Sequence, residues 1–459
     1  MRPEVIIIGG GISGLSVAFF LKQAGVPLVL LEEEEEVGGT MRSRRFNGYL
    51  VELGPNSALE TTPLLHELIS AVGLTDEKVY AHEAAKNRYI LKAGELHPLP
   101  LTPLAVVRSR LWSWRGKLRL LAEPFHGRAH REESVADFVR RRVGPEFLEY
   151  TVNPFVAGIY AGDPERLSVR FAFPRLYELE AHYGGLILGM LRGARARRRR
   201  PESSKLTARL FSFREGMGML PHALARTLGD AIWCAARALR VERVGASFEI
   251  AFERAGRQDI LRANRLVIAT PAYRAAPLIH RLDPEAARAL ARIVYPPVSV
   301  VILGYRETAI GRPLDGFGFL VPEKEGRRIL GTIWNSTIFP ARAPQGCVTL
   351  TTFVGGMRQP ELARRRDEEL VALVSEELTE IVRLRGEPEF AYISRWEHAI
   401  PQYELGYGEI LSVLDRLERD SAGLYLCANY RGGIAVGDCI KSAHETATRI
   451  LRDLARPSH

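Results

Sequence analysis

Four β-branched residues in a row, Val5-Ile6-Ile7-Ile8, stand between Glu4 and a run of glycines. An unbroken apolar run of this length, closed by turn residues, predicts a parallel strand buried on both faces. The stretch from Leu15 to Ala24 reads as a helix, and Pro27-Leu-Val-Leu-Leu31 predicts a second buried strand. Further strands are predicted at Leu266-Val-Ile-Ala-Thr270, Val298-Ser-Val-Val-Ile-Leu303 and Val348-Thr-Leu-Thr-Thr-Phe353, and a final helix over Lys441 to Leu454. Buried strands alternating with helices predict an α/β architecture. One segment reads differently. Leu101, Leu104, Val107, Leu111 and Trp114 recur at helix-like spacing, with Arg108, Arg110, Arg115, Lys117, Arg119 and Trp112 interleaved. A helix with such a face suits the headgroup region of an anionic membrane.

Charge sharpens that contrast. The 459 residues carry 63 Lys plus Arg against 54 Asp plus Glu, a surplus of nine. The window from Leu96 to Lys205 alone holds 20 basic and 11 acidic residues, and the remainder balances at 43 against 43. The surplus therefore belongs to one segment, a candidate inserted module with its own partner. Within it the run Gly193 to Arg200 reads as an exposed basic loop suited to lipid phosphate. Nucleic acid is not expected, because no stacking platform accompanies the run. The four cysteines, Cys234, Cys347, Cys427 and Cys439, are far apart and encode neither a disulfide framework nor a metal site. Val5 to Leu21 is too short and too glycine-rich to span a bilayer, and it lacks the features of a secretory signal.

Candidate chemistry begins at Gly9-Gly10-Gly11-Ile12-Ser13-Gly14. In the order strand, G-x-G-x-x-G, helix, the glycines allow a tight turn and close backbone approach to a pyrophosphate lying at a helix N-terminus. Glu32 ends the second strand eighteen residues after Gly14, placed to accept hydrogen bonds from an adenosine ribose. The chain continues through Gly38-Gly39-Thr40-Met41-Arg42-Ser43 and Glu52-Leu53-Gly54-Pro55-Asn56-Ser57. These stretches resemble the flavin amine oxidase superfamily, which implies FAD. Gly9, Gly11, Ile12, Ser13, Gly14, Glu32, Gly39, Thr40, Arg42, Gly54, Pro55, Asn56 and Ser57 are the implied cofactor contacts. One departure is Glu36, where that superfamily usually has an arginine; Arg42 is the candidate to supply the missing charge.

Glycine-rich backbone returns at Asn429-Tyr-Arg-Gly-Gly-Ile-Ala-Val-Gly-Asp-Cys-Ile440. This stretch resembles the terminal motif of the protoporphyrinogen oxidase family, and Ile434, Ala435 and Val436 take its flavin-edge positions. Asn87-Arg-Tyr89, Asn153-Pro-Phe-Val-Ala-Gly-Ile-Tyr-Ala-Gly162, Arg214 to Pro221, Gly316 to Pro322, Phe353-Val-Gly-Gly356 and Ile400-Pro-Gln-Tyr403 resemble that family's landmarks in its order. The resemblance implies an FAD-dependent oxidoreductase acting on CH–CH groups. Its reaction is the six-electron oxidation of protoporphyrinogen IX to protoporphyrin IX with dioxygen, releasing hydrogen peroxide, in haem biosynthesis. The chemistry is then flavin-centred and needs no protein nucleophile, acid–base pair or metal.

By the same resemblance Arg88 pairs with a substrate propionate, Leu330 and Phe353 clamp the macrocycle, and the loop Gly158 to Gly162 approaches it by backbone, with Gly162 a substrate contact. Val241 falls on an adenine-side strand and Trp396 beside the flavin. The implied fold has a discontinuous Rossmann-like FAD-binding domain (1–80, 207–271 and 394–459) and a mixed-sheet substrate domain (81–95 and 272–393). An α-helical membrane-binding insertion (96–206) completes it. Attachment to the inner face of the cell membrane from the cytoplasm is expected, with a homodimer left open. Three alternatives stand beside this reading: a coproporphyrinogen III oxidase, an amine oxidase, and a flavin-free regulator of the same fold. An amine oxidase usually carries a lysine near flavin N5, and no lysine occurs between Arg327 and Ile440. Intact glycine motifs at both ends argue against the flavin-free regulator.

Overall fold

In the computed structural model, which describes residues 3–129, 131–197 and 208–455, the apolar tetrad forms the central strand Val5–Ile8 of a five-stranded parallel sheet. The order across that sheet is Ile232–Trp233, Leu28–Leu31, Val5–Ile8, Arg265–Ile268, Leu424–Leu426, all parallel. Both faces are covered, as the unbroken run requires. Val5 and Ile7 join a core with the helices Ile12–Gln23 and Val436–Ala455, whereas Ile6 and Ile8 enter a second core on the opposite face. The final helix begins five residues before the position read from sequence, so Val436 is its first residue.

The second sheet has seven strands in the order Phe390–Trp396, Val298–Arg306, Cys347–Gly355, Gly331–Trp334, Gly318–Leu320, Arg88–Lys92, Glu95–Pro98. Pairing is antiparallel except between Gly318–Leu320 and Arg88–Lys92, so the sheet is mixed. Strand Val298–Arg306 shows the two-faced construction of this layer. Val301, Leu303 and Tyr305 pack under the helix Asp367–Val382, and Val298, Val300 and Ile302 face the other way, toward Leu330, Phe353 and Trp396.

Between Leu96 and Lys205 the described chain is helical, but two expectations fail there. Leu101 to Trp114 is not one helix: Pro103–Arg108 and Trp114–Leu121 are separated by a turn in which Leu111 is buried and Trp112 stacks on Phe147 at 4.2 Å. The break has a local cause. Ser113 accepts from the N–H of Gly116 and starts a new helix, while Ser109 accepts from Leu111 N–H. The run expected as a loop from Gly193 is helical as far as Arg197, within Leu186–Arg197, and Arg198 to Arg200 lie outside the described residues. The core of these helices carries a buried ion cluster. Arg142 is fully buried and held by Glu180 and Glu123, and Glu123 also accepts the N–H groups of Leu186 and Ile187 at the start of the last helix. The outer side leaves Leu101, Leu104, Trp114, Leu118, Leu121 and Phe125 exposed. No described helix is long and apolar enough to cross a membrane.

Candidate functional site

Strands Val5–Ile8 and Leu424–Leu426 run parallel in one sheet with Arg265–Ile268 between them, so the glycines that follow each strand leave the same edge. The carboxyl edge of such a sheet is where nucleotide ligands bind. Gly9 adopts φ +108°, a conformation that favours glycine, and turns the chain into the helix Ile12–Gln23. A Cβ on Gly14 would lie 2.0 Å from the carbonyl oxygen of Gly9, so only glycine lets the helix come this close to the strand. A Cβ on Gly11 would meet nothing within 4 Å. That asymmetry separates a packing glycine from one that borders open space.

Several neighbours close around the opening. Gly38 bridges to Gly11 and donates to the carbonyl of Gly10 at 2.9 Å, and Gly39 lies against Gly11. Ile12 and Ser13 open the first turn of the helix, whose N-terminus has no side-chain cap and no acidic residue. Arg42 is part-buried with its Nε unpaired, and Thr270 presents an unpaired buried hydroxyl after the neighbouring strand. Uncapped N–H groups, an unpaired guanidinium nitrogen and a free space at Gly11 together fit a pyrophosphate. Glu32 closes the second strand, accepting from the N–H of Gly10 at 2.6 Å and of Glu34 at 2.9 Å. Burial pushes its carboxyl up despite those two bonds. Glu36, the departure from the usual arginine, pairs with Arg44 and faces His222 at 3.8 Å, leaving Arg42 as the cation beside the glycines.

The second glycine stretch arrives beside the first. The helices Ile12–Gln23 and Val436–Ala455 pack together, and Cys439 is hydrogen-bonded with Ser13. Ile434 and Ala435 lead into that helix, and the N–H of Cys439 donates to Ala435. The segment Gly54 to Ser57 lies on a third side. A Cβ on Gly54 would lie 2.0 Å from the carbonyl oxygen of Thr40, and Asn56 accepts from Asn335 Nδ2 at 2.7 Å. Pro55 and Ser57 are half-buried in the same segment. Trp396 donates from Nε1 to the carbonyl of Leu53 at 2.6 Å, which sets its ring beside this stretch. Val241 is fully buried on the strand Ala236–Val244, whose first N–H donates to the carbonyl of Glu32.

Register places the substrate candidates on one surface. Val298 pairs with Trp396, Val300 with Phe353, Phe353 with Gly331, Gly331 with Leu320 and Leu320 with Ile90, so all share a face, and Arg88 lies two residues from Ile90 on that face. Three strand spacings across the sheet and two residues along the strand separate Phe353 from Arg88, about 16 Å. Leu330 is buried beside Phe353 and donates its N–H to that residue's carbonyl at 2.8 Å. The Arg88 guanidinium lies 5.3 Å from the centre of the Phe317 ring and has no acidic partner among the described residues. Water reaches it, and nearby protein lowers its pKa by desolvation. Lys92, the next cation along that strand face, is engaged by the carbonyls of Arg110 and Leu111.

The glycine approach is corrected. Gly158 lies inside the helix Asn153–Tyr160 rather than in a loop, with Leu320 where its Cβ would be. Gly162 is buried, and its missing side chain makes room for Gln402, whose Oε1 would lie 2.5 Å from a Cβ.

Three groups escape the sequence reading. Arg358 is half-buried, donates to Val321 O and to Asn153, and desolvation lowers it to about 10; it ties the helix Asn153–Tyr160 to the second sheet. Asn335 reaches Asn56 across that sheet. Glu52 accepts from Ser43 Oγ at 2.5 Å and from the N–H of Met217 at 3.0 Å, with Arg342 at 3.9 Å. Two buried charges of opposite sign at long range from anywhere in the sequence offer no local pattern to read.

A family model described as flavin containing amine oxidoreductase matches residues 12–451. The chain belongs to that family. It is an FAD-dependent oxidoreductase. Its sequence is 32% identical to protoporphyrinogen oxidase 2, chloroplastic/mitochondrial, of Arabidopsis thaliana over 98% of this chain and 94% of that protein. It is 28% identical to coproporphyrinogen III oxidase of Bacillus subtilis over 96% of each. A solved structure from Exiguobacterium sp. 255-15, 24% identical, superposes with a TM-score of 0.82 over 99% of both chains and shares the fold. The resemblance to protoporphyrinogen oxidases read from the motifs is thus upheld along nearly the whole chain.

The glycines separate cofactor binding from folding. Gly11→Ala should leave the apoprotein melting temperature unchanged while raising the FAD dissociation constant roughly tenfold or more, about 1.4 kcal/mol per decade. Gly14→Ala should lower both flavin retention and melting temperature. Equal behaviour of the two variants in flavin titration and thermal melting would contradict the open space at Gly11.

Glu52 yields a pH prediction. Burial pushes its carboxyl up to about 7 from an ordinary 4.5, outweighing the Ser43 and Met217 hydrogen bonds and the attraction of Arg342. The unfolded chain loses this proton first as pH rises from about 4.5 to about 7, so the folded state loses stability across that window and holds a constant deficit above it. The deficit is on the order of 3 kcal/mol. Melting curves of wild type and Glu52→Gln should therefore converge near the acid end and separate toward neutral pH, the variant being the more stable; parallel curves refute the assignment.

Proposed function

We propose that this chain oxidises protoporphyrinogen IX to protoporphyrin IX, with dioxygen as the acceptor and hydrogen peroxide as the by-product, in haem biosynthesis. The observation that carries the reading is the shared sheet face: an apolar floor with Trp396 and Phe353 at one end and a guanidinium without an acidic partner at Arg88 about 16 Å from Phe353. A flat macrocycle edged with propionates matches those dimensions and that chemistry. Bound FAD supplies the two-electron oxidation, repeated three times for the six electrons removed. The chain's own residues do the rest. Arg88 holds a carboxylate by charge-assisted hydrogen bonds, Leu330 and Phe353 bear on the ring, and Trp396 fixes the segment beside the flavin through Leu53.

The Bacillus relative motivates coproporphyrinogen III as a second substrate. A tetracarboxylate calls for more free cations than this face offers, since Lys92 is already spent on backbone carbonyls. The dicarboxylate is therefore the favoured substrate. Domain organisation is proposed as read from sequence, with FAD bound by 1–80, 207–271 and 394–459, substrate by 81–95 and 272–393, and a lipid surface by 96–206. Exposed Leu101, Leu104, Trp114, Leu118, Leu121 and Phe125 beside a net-basic segment support peripheral attachment to an anionic membrane, at the inner face of the cell membrane.

Purified protein supplied with FAD and protoporphyrinogen in air should develop red porphyrin fluorescence faster than the spontaneous rate, and faster than with coproporphyrinogen. A flavin-loaded protein at background rate overturns the activity. Arg88→Ala should raise KM about tenfold or more, as for loss of a hydrogen bond to a charged group, with flavin content unchanged; loss of flavin instead would place Arg88 at the wrong site. Vesicles containing anionic lipid should co-sediment the protein, less so at high salt and less for Trp114→Ser. Equal sedimentation with neutral vesicles would reject an electrostatic contribution.

A further inference from the structure

The turn 428–433, which delivers the chain to the cofactor-side helix, has little structure of its own: the N–H of Arg431 bonds back to Ala428 at 2.9 Å. Gly432 and Gly433 follow with φ of +93° and +125°, conformations that favour glycine, and the Gly433 carbonyl accepts from Cys439 Sγ at 3.7 Å. Its direction is fixed from outside. The hydroxyl of Tyr403 donates to the carbonyl of Asn429, and that of Tyr407 donates to the carbonyl of Tyr430 at 2.6 Å. Both residues are buried, and their rings lie 4.7 Å apart. A buried hydroxyl must keep its acceptor, so each phenol holds its carbonyl in place. Because a peptide unit is planar, fixing those two carbonyls also fixes the N–H groups of Tyr430 and Arg431 and the line on which the glycines depart.

The same short segment is anchored on its far side. Ser168 N–H donates to the Tyr403 carbonyl at 2.8 Å, Leu405 N–H to Arg166 at 2.9 Å, and Gln402 Nε2 to the Tyr160 carbonyl at 2.8 Å. Thus the phenols are not loose side chains that follow the turn; they project from a strap sewn to the helical module.

We propose that Tyr403 and Tyr407 are positioning residues that set the redox poise of the flavin by holding the turn 428–433, and with it the N–H groups that open the helix Val436–Ala455, in one orientation. The inference rests on the flavin site proposed above. N–H groups and a helix N-terminus aimed at the cofactor favour the negative charge it gains on reduction. Loosening them makes reduction harder.

The test compares Tyr403→Phe and Tyr407→Phe with Tyr160→Phe. Tyr160 is an equally buried member of the same ring cluster, 6.1 Å from Tyr403, but its hydroxyl donates to Ala172 within the helical module at 2.9 Å. With flavin content and melting temperature recorded alongside, the equilibrium between enzyme flavin and a redox dye gives the potential. Tyr403→Phe and Tyr407→Phe should each shift that equilibrium about tenfold toward oxidised flavin, about 30 mV for two electrons, and Tyr160→Phe should leave it in place. Should Tyr403→Phe not accumulate as folded protein, Tyr407→Phe decides alone. Unshifted potentials in the phenol variants, or an equal shift in Tyr160→Phe, overturn this inference while leaving the flavoenzyme reading intact. A wild-type chain that takes up no flavin overturns both.

Discussion

The carbonyl of Gly9 lies 2.0 Å from where a side chain on Gly14 would begin, and the whole cofactor edge is organised around that near-contact between strand and helix. Closeness at this point lets the helix Ile12–Gln23 lie down on the parallel sheet and aim its uncapped N-terminus across the carboxyl edge. It also leaves one face of that helix for Val436–Ala455, so the second glycine stretch is drawn to the first. A single methyl group at residue 14 would push these layers apart.

Against that edge the mixed sheet contributes a surface rather than a motif. Its strands alternate strictly: one set of side chains packs beneath Asp367–Val382, the other forms the floor from Trp396 to Arg88. The helix Asn153–Tyr160 lies over part of that floor, with Leu320 filling the space beside Gly158 and Arg358 fixing the helix start through Asn153. The polar groups that border the floor therefore come from different layers. Their positions are a property of packing between layers rather than of any one local motif.

What the sequence reveals follows from the range of the interactions involved. Gly9 to Gly14, the strand Val5–Ile8 and the end-of-strand Glu32 are legible because turn, strand and ribose acceptor are all encoded within a few tens of residues. Leu101 to Trp114 is misread as one helix because hydrophobic spacing continues through a break set by two serines, a signal weaker than the periodicity around it. Gly158 is misread as loop because a glycine in a helix that makes room for Leu320 and one in a loop look the same in one dimension. Trp396 to Leu53 and Asn335 to Asn56 join residues 343 and 279 positions apart, and no local pattern marks either. The resemblance to a family, by contrast, carries long-range order that periodicity lacks, and it placed Arg88, Phe353 and Trp396 on elements that fold into a single face.

The parallel sheet draws its five strands from both ends and the middle of the chain: the central one is complete by residue 8, Ile232–Trp233 and Arg265–Ile268 follow more than two hundred residues later, and the edge strand Leu424–Leu426 and the covering helix Val436–Ala455 come after those. On the ribosome, the first strand must therefore wait for nearly the entire polypeptide before its sheet is finished, with an apolar edge uncovered in the meantime. Non-local pairing of this kind is slow to form. The cofactor edge therefore takes its final form only once residues 424–455 have joined the strands laid down hundreds of residues earlier.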